Sequence, residues 1–239
     1  PEVADTYTFG LVWQSGGPDL SISADWYSIE IDNVVALLRG SSSMLLYYEQ
    51  CFNADGQSNP DLSINDPGGY CAMIGRNPNT GERDTVLAPF VNQGALETSG
   101  VDLAVNWIGD FGSGSFYVNS VLSVLNEFKL QDSPTEPFID MKGTLAEGGQ
   151  YDYRLNTTFG YNFANANVGL RWVHLPEVED AAKARQPNST ILTTESYNLF
   201  SLFAGWDINE RLSLRGGIDN LLDEQPPLVG SDPFGPTPD

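Results

Sequence analysis

The sequence predicts an all-β fold: an antiparallel up-and-down meander of about eight strands that spans a membrane. Three observations predict it. Apolar and polar residues alternate with period two through one segment after another. The connections alternate between short and long, so every short turn falls at one end of the meander and every long loop at the other. Aromatic residues recur within a few positions of the short turns. A soluble sandwich has no reason to sort its loops by end, whereas an outer-membrane barrel has short periplasmic turns and long extracellular loops.

The first strand is expected over 6–14, where Tyr7, Phe9, Leu11 and Trp13 alternate with polar or small residues. A short turn at 15–19 leads to Leu20, Ile22, Ala24 and Trp26. From Tyr27 the apolar phase flips to Ile29 and Ile31, which a bulge would explain. Residues 33–83 read as a long polar loop, with Val34 to Leu38 and Met44 to Tyr48 as short helical pieces. Residues 84–94 suit a strand, and Val101, Leu103, Val105 and Trp107 alternate after it. Past a turn at 110–114, Phe116, Val118, Ser120, Leu122, Val124 and Phe128 form the next apolar face. A second long loop covers 129–149.

The cleanest strand is 151–163. Tyr151, Tyr153, Leu155, Thr157, Phe159, Tyr161 and Phe163 share one face, and Asp152, Arg154 and Asn156 open the other. A turn near Ala164 leads into Val168, Leu170 and Trp172. If these share a face with Tyr161 and Phe163, cross-strand partners have residue numbers summing to an odd value, and Arg171 lies beside Thr158 or Gly160. The third long loop is 176–194. Two strands about a turn near Asn209 follow, and 222–239 has no strand pattern.

Trp13, Trp107, Phe116, Phe163 and Trp206 lie at one depth and form an expected aromatic girdle. Spanning strands must pair all their backbone groups and keep an apolar outer face. Asp152, Arg154, Arg171, Arg215 and Asp219 are therefore expected to face a wet or plugged lumen. The 32 acidic residues against 11 basic ones, a net charge of −21, argue against a basic surface that binds nucleic acid or anionic lipid. Cys51 and Cys71, the only cysteines, sit in one polar loop. The even pair suggests a disulfide and an oxidising compartment, with two separate free thiols as the alternative. No pattern points to an enzyme, a cofactor or a metal site. His174 is the only histidine and lies at a strand end, and Asn53-Ala-Asp55-Gly56 lacks the closing acid of a calcium loop.

Several segments resemble the C-terminal half of a TonB-dependent outer-membrane receptor. They are Ala4-Asp-Thr-Tyr-Thr-Phe-Gly-Leu-Val-Trp13, Asp25-Trp-Tyr-Ser-Ile-Glu-Ile31, Asn92-Gln-Gly-Ala-Leu-Glu-Thr-Ser-Gly-Val-Asp102, Tyr197-Asn-Leu-Phe200 and, above all, Gly217-Ile-Asp-Asn-Leu-Leu-Asp-Glu-Gln-Pro-Pro227. The resemblance implies that 1–239 is an arc of a 22-stranded barrel, with the plug domain and the closing strand outside this sequence. It implies a place in the outer membrane of a Gram-negative bacterium. The implied partners are the lipid bilayer, the protein's own plug, the energy-coupling TonB protein and a scarce small-molecule nutrient such as a siderophore, cobalamin or saccharide. The long loops would contribute to capture. The rivals are a passive porin or small barrel, and a soluble β-sandwich that binds carbohydrate or serves as an adhesin. The sandwich would bury the Tyr151–Phe163 odd face in a protein core.

Overall fold

The computed structural model describes residues 1–17, 19–37, 47, 51–52, 69–87, 90–131, 137–145, 150–185, 188 and 193–227. Eight long strands make one antiparallel sheet in the order β1 (Val3–Gln14), β2 (Leu20–Leu37), β5 (Phe90–Phe111), β6 (Gly114–Gln131), β8 (Tyr153–Phe163), β9 (Ala166–Leu175), β10 (Tyr197–Asn209) and β11 (Leu212–Ile218). Each strand lies beside its predecessor in this series, as a meander requires. A short β7 (Ile139–Asp140) pairs with the loop end of β6. Short connections join β1 to β2, β5 to β6, β8 to β9 and β10 to β11, and the longer connections join the opposite strand ends.

Local chemistry closes the turns. Gly112 takes a φ of 63° and Ala164 a φ of 48° at the first position of their two-residue turns, the backbone that matches strand twist in a tight hairpin. At the β10–β11 turn the Asn209 side chain accepts the Arg211 N–H at 2.9 Å. After β11, Asn220 accepts the Glu224 N–H at 2.8 Å and donates to the Glu224 carbonyl at 3.0 Å, while Leu221 N–H reaches back to the Phe200 carbonyl.

Several boundaries differ from the sequence reading. Val34 to Leu37 is strand, not helix, because β2 continues to Leu37. There the Val35 N–H donates to Glu2, and Asn92 donates to the Asn33 carbonyl. Asn33 itself has a φ of 54°, so a left-handed residue interrupts β2 six positions beyond the expected phase flip. The helix expected at Met44 to Tyr48 lies outside the described residues apart from Tyr47. The 84–94 segment divides between β4 (Arg83–Val86), which pairs with β3 (Ile74–Arg76), and the start of β5.

The chain divides into two compact units. One comprises Pro1–Ala4, Ile31–Ala95 and Gln131–Pro137. Its core is Tyr47, Cys51, Tyr70 and Ile74, with Phe52, Cys71 and Met73 packed against them. Cys51 and Cys71 are joined by a disulfide across 20 residues, and α1 (Gly69–Ala72) carries Tyr70 onto Tyr47 with ring centroids 6.0 Å apart. Burial, and after it the neighbouring Tyr70, raises the Tyr47 phenol above the ordinary tyrosine range.

The second unit comprises Asp5–Glu30, Leu96–Leu130 and Phe138–Asp239. It ties the loop after β6 to the loop after β9. The Glu179 N–H donates to the Gly143 carbonyl, the Leu145 N–H donates to the Glu179 carbonyl, and Met141 and Val178 are buried. Asp180 caps the short α2 (Ala182–Arg185) through the Ala182 N–H at 2.9 Å.

Candidate functional site

The site is the pair of faces that the sheet presents. The β8–β9 register sums to an odd value throughout, with Leu155 opposite His174, Phe159 opposite Leu170, and Arg171 opposite Thr158 as expected. Extending the register through β6, β10 and β11 fixes which residues share a face. One face carries Phe116, Val118, Leu122, Val124, Leu155, Phe159, Tyr161, Phe163, Val168, Leu170, Trp172, Phe200, Leu202, Trp206, Leu214 and Ile218. Halfway along β8 lies the all-apolar row Val118–Phe159–Leu170–Leu202–Ile218.

This apolar face is not a protein core. Among the described residues, the buried hydrophobic side chains are Tyr47, Cys51, Tyr70, Ile74, Met141 and Val178, and none lies on the eight long strands. Trp206, Leu214 and Ile218 are each more than half exposed, at 51%, 54% and 56%. A sandwich would bury these positions. Hydroxyls on the face are satisfied locally: Ser120 and Thr157, opposite each other, are hydrogen-bonded at 2.8 Å.

Aromatics gather at both ends of the face. At the turn end, Trp107 lies beside Phe116 at 6.1 Å, Tyr161 stacks on Phe163 at 5.7 Å, and the Tyr161 hydroxyl donates to the Phe111 carbonyl at 2.7 Å. Phe163 and Trp206 belong to the same face, and Trp13 is exposed on β1. Sequence reasoning named five of these residues but missed a second cluster at the loop end. There Trp172 stacks on Phe200 at 6.1 Å, and Asn198 Oδ1 accepts from both Trp172 Nε1 and His174 Nδ1, each at 2.9 Å. An indole N–H can only donate, so Asn198 presents its oxygen and His174 carries hydrogen on Nδ1. In the neutral ring Nε2 then accepts from the Tyr153 hydroxyl at 3.0 Å. His174 is thus a member of an aromatic cluster at the loop end of the face, with both nitrogens engaged. These residues are scattered in sequence, and only the register brings them together.

The two clusters are separated by the length of β8, from Phe163 to Tyr153. Ten rises of about 3.4 Å at a tilt of about 40° span about 26 Å, which matches an apolar band about 25 Å tall.

The opposite face is more polar, although Val121, Val173, Leu199 and Phe203 also lie on it. Arg154, Arg171 and Arg215 share it with Asn119, Asn156, Thr158, Asn162, Asn167 and Ser201. Arg154 lies over the Tyr151 ring at 5.1 Å. Two of the five expected lumen residues lie outside the strands. Asp152 precedes β8 and faces Lys142 at 3.8 Å, and Asp219 follows β11.

The family description "TonB dependent receptor-like, beta-barrel" matches residues 1–221, and the chain belongs to that family. No curated protein matches the chain. Among solved structures it is similar to the FrpB iron transporter from Neisseria meningitidis (F5-1 variant, apoprotein form), with 13% identity and a TM-score of 0.52 over 93% of this chain and 27% of that one. It is also similar to the siderophore receptor PirA from Acinetobacter baumannii, with 14% identity and a TM-score of 0.52 over 93% of this chain and 28% of that one. The chain therefore spans little more than a quarter of the length of these structures.

Proposed function

We propose that this chain is part of an outer-membrane receptor that captures a scarce nutrient, an iron–siderophore complex being the favoured class, for energy-coupled uptake. The carrying observation is the meander whose apolar face is left uncovered between two aromatic clusters about one bilayer apart. In this reading Trp13, Trp107, Phe116, Phe163 and Trp206 form the periplasmic girdle. Arg154, Arg171 and Arg215 face the lumen, and Asp152 and Asp219 lie at its rims. The interlocked loops after β6 and β9 and the disulfide-pinned module after β2 contribute to capture. A plug domain fills the lumen and TonB drives its opening. The iron assignment leans on the similar structures, one an iron transporter and one a siderophore receptor by title.

Uptake of labelled ferric siderophores by iron-starved cells carrying the intact receptor tests the reading. Uptake should be lost on removal of TonB or of the proton gradient. Uptake that survives both would identify a passive pore instead.

A further inference from the structure

Alternation of apolar and polar residues settles strand register only in part. A one-residue slip exchanges the faces, but a two-residue slip keeps every side chain on its own face. A tight hairpin fixes register by its geometry, and short turns serve β1–β2, β5–β6, β8–β9 and β10–β11. The neighbouring pairs β2–β5, β6–β8 and β9–β10 have no such turn. Their connections are long, so their alignment has to come from the strands themselves.

Each of these three pairs carries the same contact, an aromatic ring lying over a glycine of the adjacent strand. Tyr117 of β6 lies over its register partner Gly160 of β8, and Phe203 of β10 lies over its partner Gly169 of β9. The hydroxyl end of Tyr27 of β2 lies over Gly100 of β5. A Cβ added to any of the three glycines would collide with the ring, and all three glycines are buried. Tyr161 of β8 makes a lesser contact of this kind with Gly114 at the end of β6. Gly10 and Gly216, on hairpin-joined strands, have no ring over them. Glycine weakens a strand interior because it leaves nothing to pack, and here the neighbouring ring fills the space.

The contact discriminates where alternation does not. Sliding β8 along β6 by two residues would set Thr158 or Asn162 opposite Tyr117. Sliding β9 along β10 likewise would set Asn167 or Arg171 opposite Phe203. All four share the face of the glycines they replace, but each carries a Cβ where the ring lies.

We propose that the three aromatic–glycine contacts are register keys. Each selects, for two strands that no tight turn aligns, the one face-preserving pairing at which the ring can lie down. This holds whichever medium each face meets.

The test uses the intact receptor, oxidised after folding, with bridges identified by mass spectrometry. Asn119→Cys with Thr158→Cys joins native partners of β6 and β8. Asn119→Cys with Asn156→Cys, and Val121→Cys with Thr158→Cys, join residues that become partners only after a two-residue slip in one direction or the other. In the native register each of these two pairs is about 8 Å apart, too far to bridge. With the key intact only the native pair should oxidise. Tyr117→Ala removes the discrimination, and slipped bridges should rise about tenfold, the change in population that goes with no longer forcing a ring off its rotamer. Gly160→Ala should raise them too, and the exchange Tyr117→Gly with Gly160→Tyr should return bridging to the native pair alone. Native bridging alone in both Tyr117→Ala and Gly160→Ala would overturn the proposal. Should Gly160→Ala yield no folded receptor, the exchange decides, and its failure to restore folding would overturn the proposal as well.

Discussion

Val118 and Asn119 are neighbours on β6 at almost one depth, and they face opposite ways. Val118 pairs with Phe159 in the apolar row, and Asn119 pairs with Thr158 on the polar face. Phe159 lies four rises from Phe163, about 10 Å above the turn-side cluster in a band about 26 Å tall, hence close to the midplane. An arginine facing lipid there costs about 2–4 kcal/mol, falling towards zero at the interfaces. Val118→Arg should therefore destabilise the folded barrel by at least about 2 kcal/mol, roughly a thirtyfold shift in the folding equilibrium. On the proposed reading, in which the face of Asn119 looks into the lumen, Asn119→Arg should cost much less. The assay is reversible folding of the intact barrel into lipid vesicles, followed by tryptophan fluorescence across a denaturant series. Equal losses would show that the two faces do not meet different media. A larger loss for Asn119→Arg would show that the face assignment is inverted.

Replacing Cys51 and Cys71 by serine reopens a 20-residue loop and should cost the Tyr47–Ile74 module about 3 kcal/mol in chain entropy. Hydrogen exchange should rise in that module while β8–β10 stay protected, and uniform loss of protection would contradict this. Ala164 holds a positive φ that glycine adopts freely, so Ala164→Gly should stabilise the barrel by about 1 kcal/mol, read as a higher denaturant midpoint. The raised Tyr47 phenol makes the module sensitive to alkali: the unfolded phenol ionises near 10.0 and the folded one later. Stability is thus complete below 10.0 and is lost as pH rises through the higher folded value. Exchange in the module should increase over that window, and Tyr47→Phe should remove the dependence.

The faces were legible because alternation is strict where a strand crosses a slab with different media on its two sides. One register slip would move Arg171 onto the apolar face, so pattern and pairing are locked together. The strand ends were not legible, for the same reason. Beyond the slab no solvent contrast enforces alternation, and β5 runs from Phe90 through a mixed stretch before its regular run begins. Val34 to Leu37 failed likewise, since consecutive apolar residues fit helix or strand until the partner strands are known. The loop-side cluster was hidden differently. Tyr153, Trp172, His174, Asn198 and Phe200 come from three strands, and no spacing along the chain announces them.

The burial pattern explains how a mean hydropathy of −0.23 is compatible with a membrane protein. Among the described residues, many apolar side chains of the long strands are exposed, whereas Tyr47, Met141 and Val178, which lie in connections, are buried. Polar residues on the second face of every strand and in the long loops offset the apolar face in the average. Composition therefore carries almost none of the membrane signal. It resides in which face a residue occupies and at which end a loop falls. Those are properties of order, and shuffling the same residues within each strand would erase them while leaving the mean unchanged.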